Sequence, residues 1–164
     1  MAYSGLALAR SAGQWSGADL ELADMPDLDA AGEALRDYAA EKADDGTALL
    51  FVEEDDEYVG IVRVDGDADP SVFISDRRVV ETSDLAERLF AEALPVITED
   101  EEDEDEGTRP VAVPAGDLRI LASFGVSDDQ LVELCGEEGA LPADIIAALC
   151  ERIGAGEQFE ALRV

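Results

Sequence analysis

Eight consecutive acidic residues, Glu99 to Glu106, interrupt this chain of 164 residues. Like charges at every position repel one another and offer nothing to bury, so no packed element can run through them. The run predicts a solvated, extended linker over 98–109, with a folded segment on either side. The acidic excess extends beyond it: residues 1–97 hold 23 acids and 7 bases, and residues 108–164 hold 10 and 4. With 41 Asp+Glu against 11 Lys+Arg, the formal net charge is −30. A surface this negative repels phosphates, which argues against direct nucleic-acid binding and against anionic membranes. Basic proteins, basic peptides and cations remain as partners.

No histidine occurs in the chain. That removes the commonest side-chain acid/base near neutral pH and the commonest metal ligand. Serine, threonine and cysteine nucleophiles therefore lack an imidazole partner, and the single lysine, Lys42, lies at the polar end of a predicted helix. There is no glycine-rich phosphate loop and no Cys/His cluster with metal-ligand spacing. The expectation is a protein without catalytic, cofactor-binding or metal-binding residues. Cys135 and Cys150 fall on apolar helical faces and read as small buried thiols of a reducing compartment. Met1-Ala2-Tyr3-Ser4 lacks a basic and then apolar leader, and no apolar stretch is long enough to span a bilayer, so a cytoplasmic location is expected.

Hydrophobic residues make up 47% of the chain but aromatics only 5%, so Ala, Leu and Val must fill any core. The first half alternates strand and helix signals. Tyr3–Arg10 and Trp15–Leu22 predict a hairpin across the turn Ser11-Ala12-Gly13-Gln14, with Leu6 and Leu8 opposite Leu20 and Leu22. Asp27 or Asp29 is placed to cap a helix whose stripe is Leu28, Ala31, Leu35 and Tyr38. Thr47–Val52 is nearly continuous apolar sequence, the mark of a central strand covered on both faces. Tyr58–Val64 returns from it, Ser71–Ser75 adds another strand, and Thr82 to Leu94 predicts a helix capped at Thr82 or Ser83. From Pro110 the periodicity is helical, with Ser127 as a cap, Pro142 in a first turn, and Gly125, Gly136 and Gly154 as stops. The expected fold class is α+β: a mainly antiparallel sheet of about five strands with two helices (1–97), the acidic linker (98–109), and a small all-helical carboxy-terminal domain (110–164).

Three acidic or basic clusters bear on chemistry. Asp65-Gly66-Asp67-Ala68-Asp69 has oxygen ligands at alternate positions, like a calcium loop, but Pro70 stands where the sharp turn needs glycine, and the flanks read as strands. A hairpin turn explains it. Arg77-Arg78 is the only basic pair and reads as a local partner for neighbouring acids. The hairpin tip Glu53, Glu54, Asp55, Asp56 and Glu57 offers no apolar wall that would raise one carboxyl for acid/base work. It is the candidate charge for docking a basic partner, with Tyr58 beside it as an apolar anchor.

The order of these residues resembles a known family. Met1-Ala2-Tyr3, Ala7-Leu8-Ala9-Arg10 and Trp15 open the pattern, and Phe51-Val52-Glu53-Glu54-Asp55-Asp56-Glu57-Tyr58 is its most specific piece. Val72-Phe73-Ile74-Ser75-Asp76, Leu141-Pro142-Ala143-Asp144 and Glu160-Ala161-Leu162-Arg163 continue it. Together they resemble the tRNA adenosine deaminase-associated proteins of actinobacteria. The resemblance implies a gene beside that of the enzyme, hence a shared pathway, and brings no catalytic residue with it. The deaminase itself holds zinc through a His/Cys triad, which a chain with no histidine and two isolated cysteines lacks. The expected function is a non-catalytic accessory protein docking on a basic partner, the tRNA adenosine deaminase being the candidate. The alternatives are a small-molecule or cation-binding module, and a scaffold that dimerises through its helical tail.

Overall fold

The computed structural model describes residues 3–20, 22, 25–44, 46–54, 58–66, 69–93, 114–136 and 141–163. The acidic run and its predicted linker, 98–109, lie outside them.

Strands β1 (Tyr3–Ser11) and β2 (Gln14–Leu20) form a hairpin across Ala12-Gly13. Both turn residues have positive φ, 53° and 79°, as a two-residue turn that matches strand twist requires. The Ala12 N–H donates to Asp44 Oδ2 at 2.9 Å, tying the turn to the end of the next helix. Helix α1 (Leu28–Lys42) starts where Asp27 accepts from the Ala30 N–H at 2.9 Å. It buries Leu28, Ala31, Leu35 and Ala39. It carries the chain back across the sheet to β3 (Thr47–Glu54), which pairs with β1 on the side away from β2. Strands β4 (Tyr58–Asp65) and β5 (Ser71–Ile74) extend the sheet. A 3₁₀ turn (Arg77–Glu81) leads to α2 (Asp84–Phe90), whose Ser83 cap accepts from the Ala86 N–H. A 3₁₀ turn at Ala91–Ala93 follows, so the α-helical part is shorter than the predicted Thr82–Leu94.

The carboxy-terminal segment begins with a strand, β6 (Ala115–Gly116), paired with β5, and then turns helical. A 3₁₀ turn (Ala122–Phe124) precedes α3 (Asp128–Cys135), which opens on a capping box between Ser127 and Gln130. Helix α4 (Pro142–Ile153) ends at Gly154 with φ 95°, and α5 (Gly156–Arg163) follows. Among the described residues the sheet has six strands, all antiparallel, in the order β2-β1-β3-β4-β5-β6.

Alternate residues of the central strands feed two separate cores. Ala48, Leu50 and Val52 of β3 pack with α1 and α2, while Leu49 and Phe51 pack with Ile120, Leu131, Ile146, Leu149 and Ile153. Burial on both faces explains why β3 reads as uninterrupted apolar sequence.

Three expectations are corrected here. The sheet has six strands rather than five, because the sixth comes from the tail. The tail is not all-helical, since β6 belongs to it, and most of its described apolar residues share one cluster with Leu6, Leu8, Phe51, Ile61 and Phe73 of the sheet. Short helices that cannot bury enough surface alone gain it by covering a sheet face. Finally, Leu20 and Leu22 do not oppose Leu6 and Leu8. The register sets Leu20 against Gly5, and Leu22 packs on the α1 face. A change of parity across the hairpin moves a residue to the other side of the sheet.

Candidate functional site

The β3–β4 tip singled out by sequence divides into two sets of residues. Asp55, Asp56 and Glu57 lie outside the described residues. Glu53 is half-buried, and Glu54 and Tyr58 are turned inward, each 1% exposed. Glu54 is paired with Tyr58 in the β3–β4 register, so the two side chains close the base of the hairpin on one face. The Tyr58 hydroxyl donates to Glu54 Oε1 at 3.0 Å, and the Ser83 hydroxyl donates to the same oxygen. Ser83 meanwhile accepts from the Ala86 N–H at 3.1 Å as the cap of α2. A buried carboxylate needs such donors, since leaving it unpaired costs more than the bonds return. Tyr58 also meets Phe90 edge-on, with centroids 6.4 Å apart at 87°. The Glu54 carboxylate, the Tyr58 hydroxyl and the Tyr58 ring are thus engaged inside the fold. The Val59 N–H next to them donates to the buried Ser75 hydroxyl at 2.9 Å.

A second polar cluster joins the tail to the sheet. The Trp15 indole N–H donates to the Ile153 carbonyl at 3.0 Å, and Arg63 Nη1 donates to the Ile120 carbonyl and the Ser123 hydroxyl, both at 2.8 Å. Phe124 packs at 5.2 Å from the Trp15 ring, with the Arg10 and Arg63 guanidiniums each 5.0 Å from its centre. Arg63 also pairs with Asp65 at 3.1 Å, and Thr47 donates to the same carboxylate at 2.9 Å. Asp65, first residue of the calcium-like stretch, is thus engaged with its own sheet; Asp67 and Ala68 lie outside the described residues. Arg78 pairs with Asp76 at 2.7 Å, the local partnership expected of the basic pair, and this bond holds its guanidinium above the usual arginine range.

Both cysteines are free and buried, and burial pushes each thiol up to about 12. Neither is a nucleophile at neutral pH. Among the described residues no group of three or more His, Cys, Asp or Glu is placed to hold a metal ion. No described helix is long and apolar enough to cross a membrane.

The third feature is a surface groove of about 690 Å³ where α4 turns into α5. Ala147, Gly154, Gly156 and the ring of Phe159 line it, and Glu151, Glu157 and Glu160 stand around it. All three glutamates are exposed. Sequence reasoning passed over the three glutamates because they are ordinary helix-surface residues, whereas Phe159 belongs to the core cluster. The only signal was the spacing of Glu157 and Glu160 by one turn beyond a glycine stop.

The family model for Rv3753c-like tRNA adenosine deaminase-associated proteins matches residues 4–156. The chain belongs to that family. The match spans both halves of the chain, from β1 to the start of α5, so the deaminase-associated family is defined over the sheet and the helical layer together. No curated protein and no solved structure matches the chain.

Proposed function

We propose that this deaminase-associated family member is a non-catalytic acidic accessory protein that docks on a basic partner, and that the partner is the tRNA adenosine deaminase. One observation carries the reading: a chain of the deaminase-associated family has a net charge of −30 and no histidine. An enzyme that binds tRNA presents a positive surface to phosphates. A folded body carrying dense carboxylates is complementary to that surface and is steered to it at long range. The proposed docking charge is that of the β3–β4 tip acids together with the run Glu99–Glu106.

The test is co-purification of the full-length protein with the deaminase of the same genome at 50 mM and 500 mM salt, followed by competition with tRNA. Association that weakens steeply with salt and is displaced by tRNA is expected. Association indifferent to both, or none at low salt, rejects the reading. So does turnover of a substrate by the purified protein that a point substitution within this chain abolishes.

A further inference from the structure

The groove between α4 and α5 combines a concave apolar floor with unpaired carboxylates at its edge. Phe159 and Ala147 form the floor, and Gly154 and Gly156 contribute no side chain to fill it. None of Glu151, Glu157 and Glu160 is in an ion pair with a described residue. The groove residues include no base. An occupant therefore has to supply apolar or aliphatic surface to the floor and positive charge to the rim. Arginine and lysine do both, since their stems lie on apolar surface while their heads reach carboxylates.

We propose that this groove seats a partner-protein segment in which an apolar side chain lies between two arginines or lysines, and, resting on the accessory reading above, that the deaminase supplies it. The apolar side chain contacts Phe159 and Ala147, and the flanking cations meet Glu151 on one side and Glu157 and Glu160 on the other. The match is one of charge: a deeply negative molecule presents an apolar concavity beside three exposed carboxylates, which favours a cationic segment and disfavours an anionic or neutral one.

The probe is an acetylated, amidated Arg-Leu-Arg peptide titrated into the isotope-labelled full-length protein, with Glu-Leu-Glu as control. Resonance shifts concentrated between Ala147 and Glu160, for the basic peptide alone, are expected. Shifts spread evenly over the acidic surface, or confined to the β3–β4 tip, overturn the proposal. The variant Glu151→Gln/Glu157→Gln/Glu160→Gln changes only exposed side chains and keeps the fold. It should weaken both the peptide and the purified deaminase by about tenfold, as three exposed pairs allow. Ala147→Trp, which fills the floor and leaves the charge unchanged, should abolish the local shifts. Unchanged deaminase affinity in the glutamine variant overturns the groove as the docking point while the accessory reading stands. Groove-centred peptide shifts with no deaminase binding by the wild type uphold the groove and overturn the accessory reading.

Discussion

At the scale of single residues, the informative positions are those where an ordinary substitution meets a filled space or strands a buried group. A Cβ on Gly60 would lie 2.2 Å from Phe90 Cζ, so the aromatic ring of α2 rests on the bare backbone of β4. Gly60→Ala should cost about 2–3 kcal/mol by overpacking. Combining it with Phe90→Leu should recover part of that loss, which a double-mutant cycle in urea would measure. Glu54→Ala removes the shared acceptor of Tyr58 and Ser83 and leaves two buried hydroxyls without it. A loss of about 2–3 kcal/mol is expected, against about 1 kcal/mol for Tyr58→Phe, which deletes one donor. Equal, near-zero effects would mean that Glu54 is solvated. The run Glu53–Glu57 looked in sequence like five equivalent surface acids. Nothing in the order of residues distinguishes Glu54, because its burial depends on Ser83, 29 positions away in the chain.

At the scale of elements, caps and stops were legible in advance. Asp27, Ser83, Ser127, Pro142 and Gly154 all stand at the helix ends where local chemistry put them. Helices α3 and α4 carry the two thiols, and their burial makes a pH prediction. The folded state holds both protons up to about 12, whereas the unfolded chain releases them near the ordinary thiol value of 9.0. Below pH 9 this preference does not alter stability. As pH rises from 9 towards 12 the unfolded state is favoured, so unfolding midpoints should fall across that window. Replacing both cysteines by alanine should flatten the fall. In the native protein the thiols should react with a disulfide reagent at pH 8 only as fast as the structure opens. The bond from Trp15 to Ile153 is the corresponding test of how α4 is held: Trp15→Phe should cost about 2–3 kcal/mol, since it deletes the donor and leaves part of the buried indole volume unfilled.

At the scale of the whole molecule, charge and layering act together. Dense like charge opposes compaction, so added salt should raise the thermal midpoint as screening relieves the repulsion. Calorimetry at 20 mM and 500 mM sodium chloride checks this, and an unchanged midpoint would show that the carboxylates are too well spread to matter. The same salt series should weaken docking on a basic partner, so stability and binding are expected to move in opposite directions. Layering makes its own demand. The helical tail covers one face of the sheet, so removing residues 114–164 should expose Leu6, Leu8, Phe51, Ile61 and Phe73 and leave an insoluble or molten remainder rather than an independent domain. A monomeric, cooperatively folding 1–113 fragment would contradict this.

Local signals in the chain determined a great deal unaided: the antiparallel α+β class, the hairpin at Ala12-Gly13, the central place of β3, the helix caps, the buried thiols, and membership of the deaminase-associated family. The structural features follow from contacts between near neighbours or from a pattern that repeats within a few residues, and the family from the resemblance of the whole order of residues. Which helices cover which face of the sheet, the tail's contribution of β6, the inward turn of Glu54 and Tyr58, and the gathering of Glu151, Glu157 and Glu160 around Phe159 were decided only by the tertiary structure. A strand that alternates between two buried faces announces that both are covered, and says nothing of what covers them. That is settled when segments distant in the chain compete to remove the same apolar surface from water.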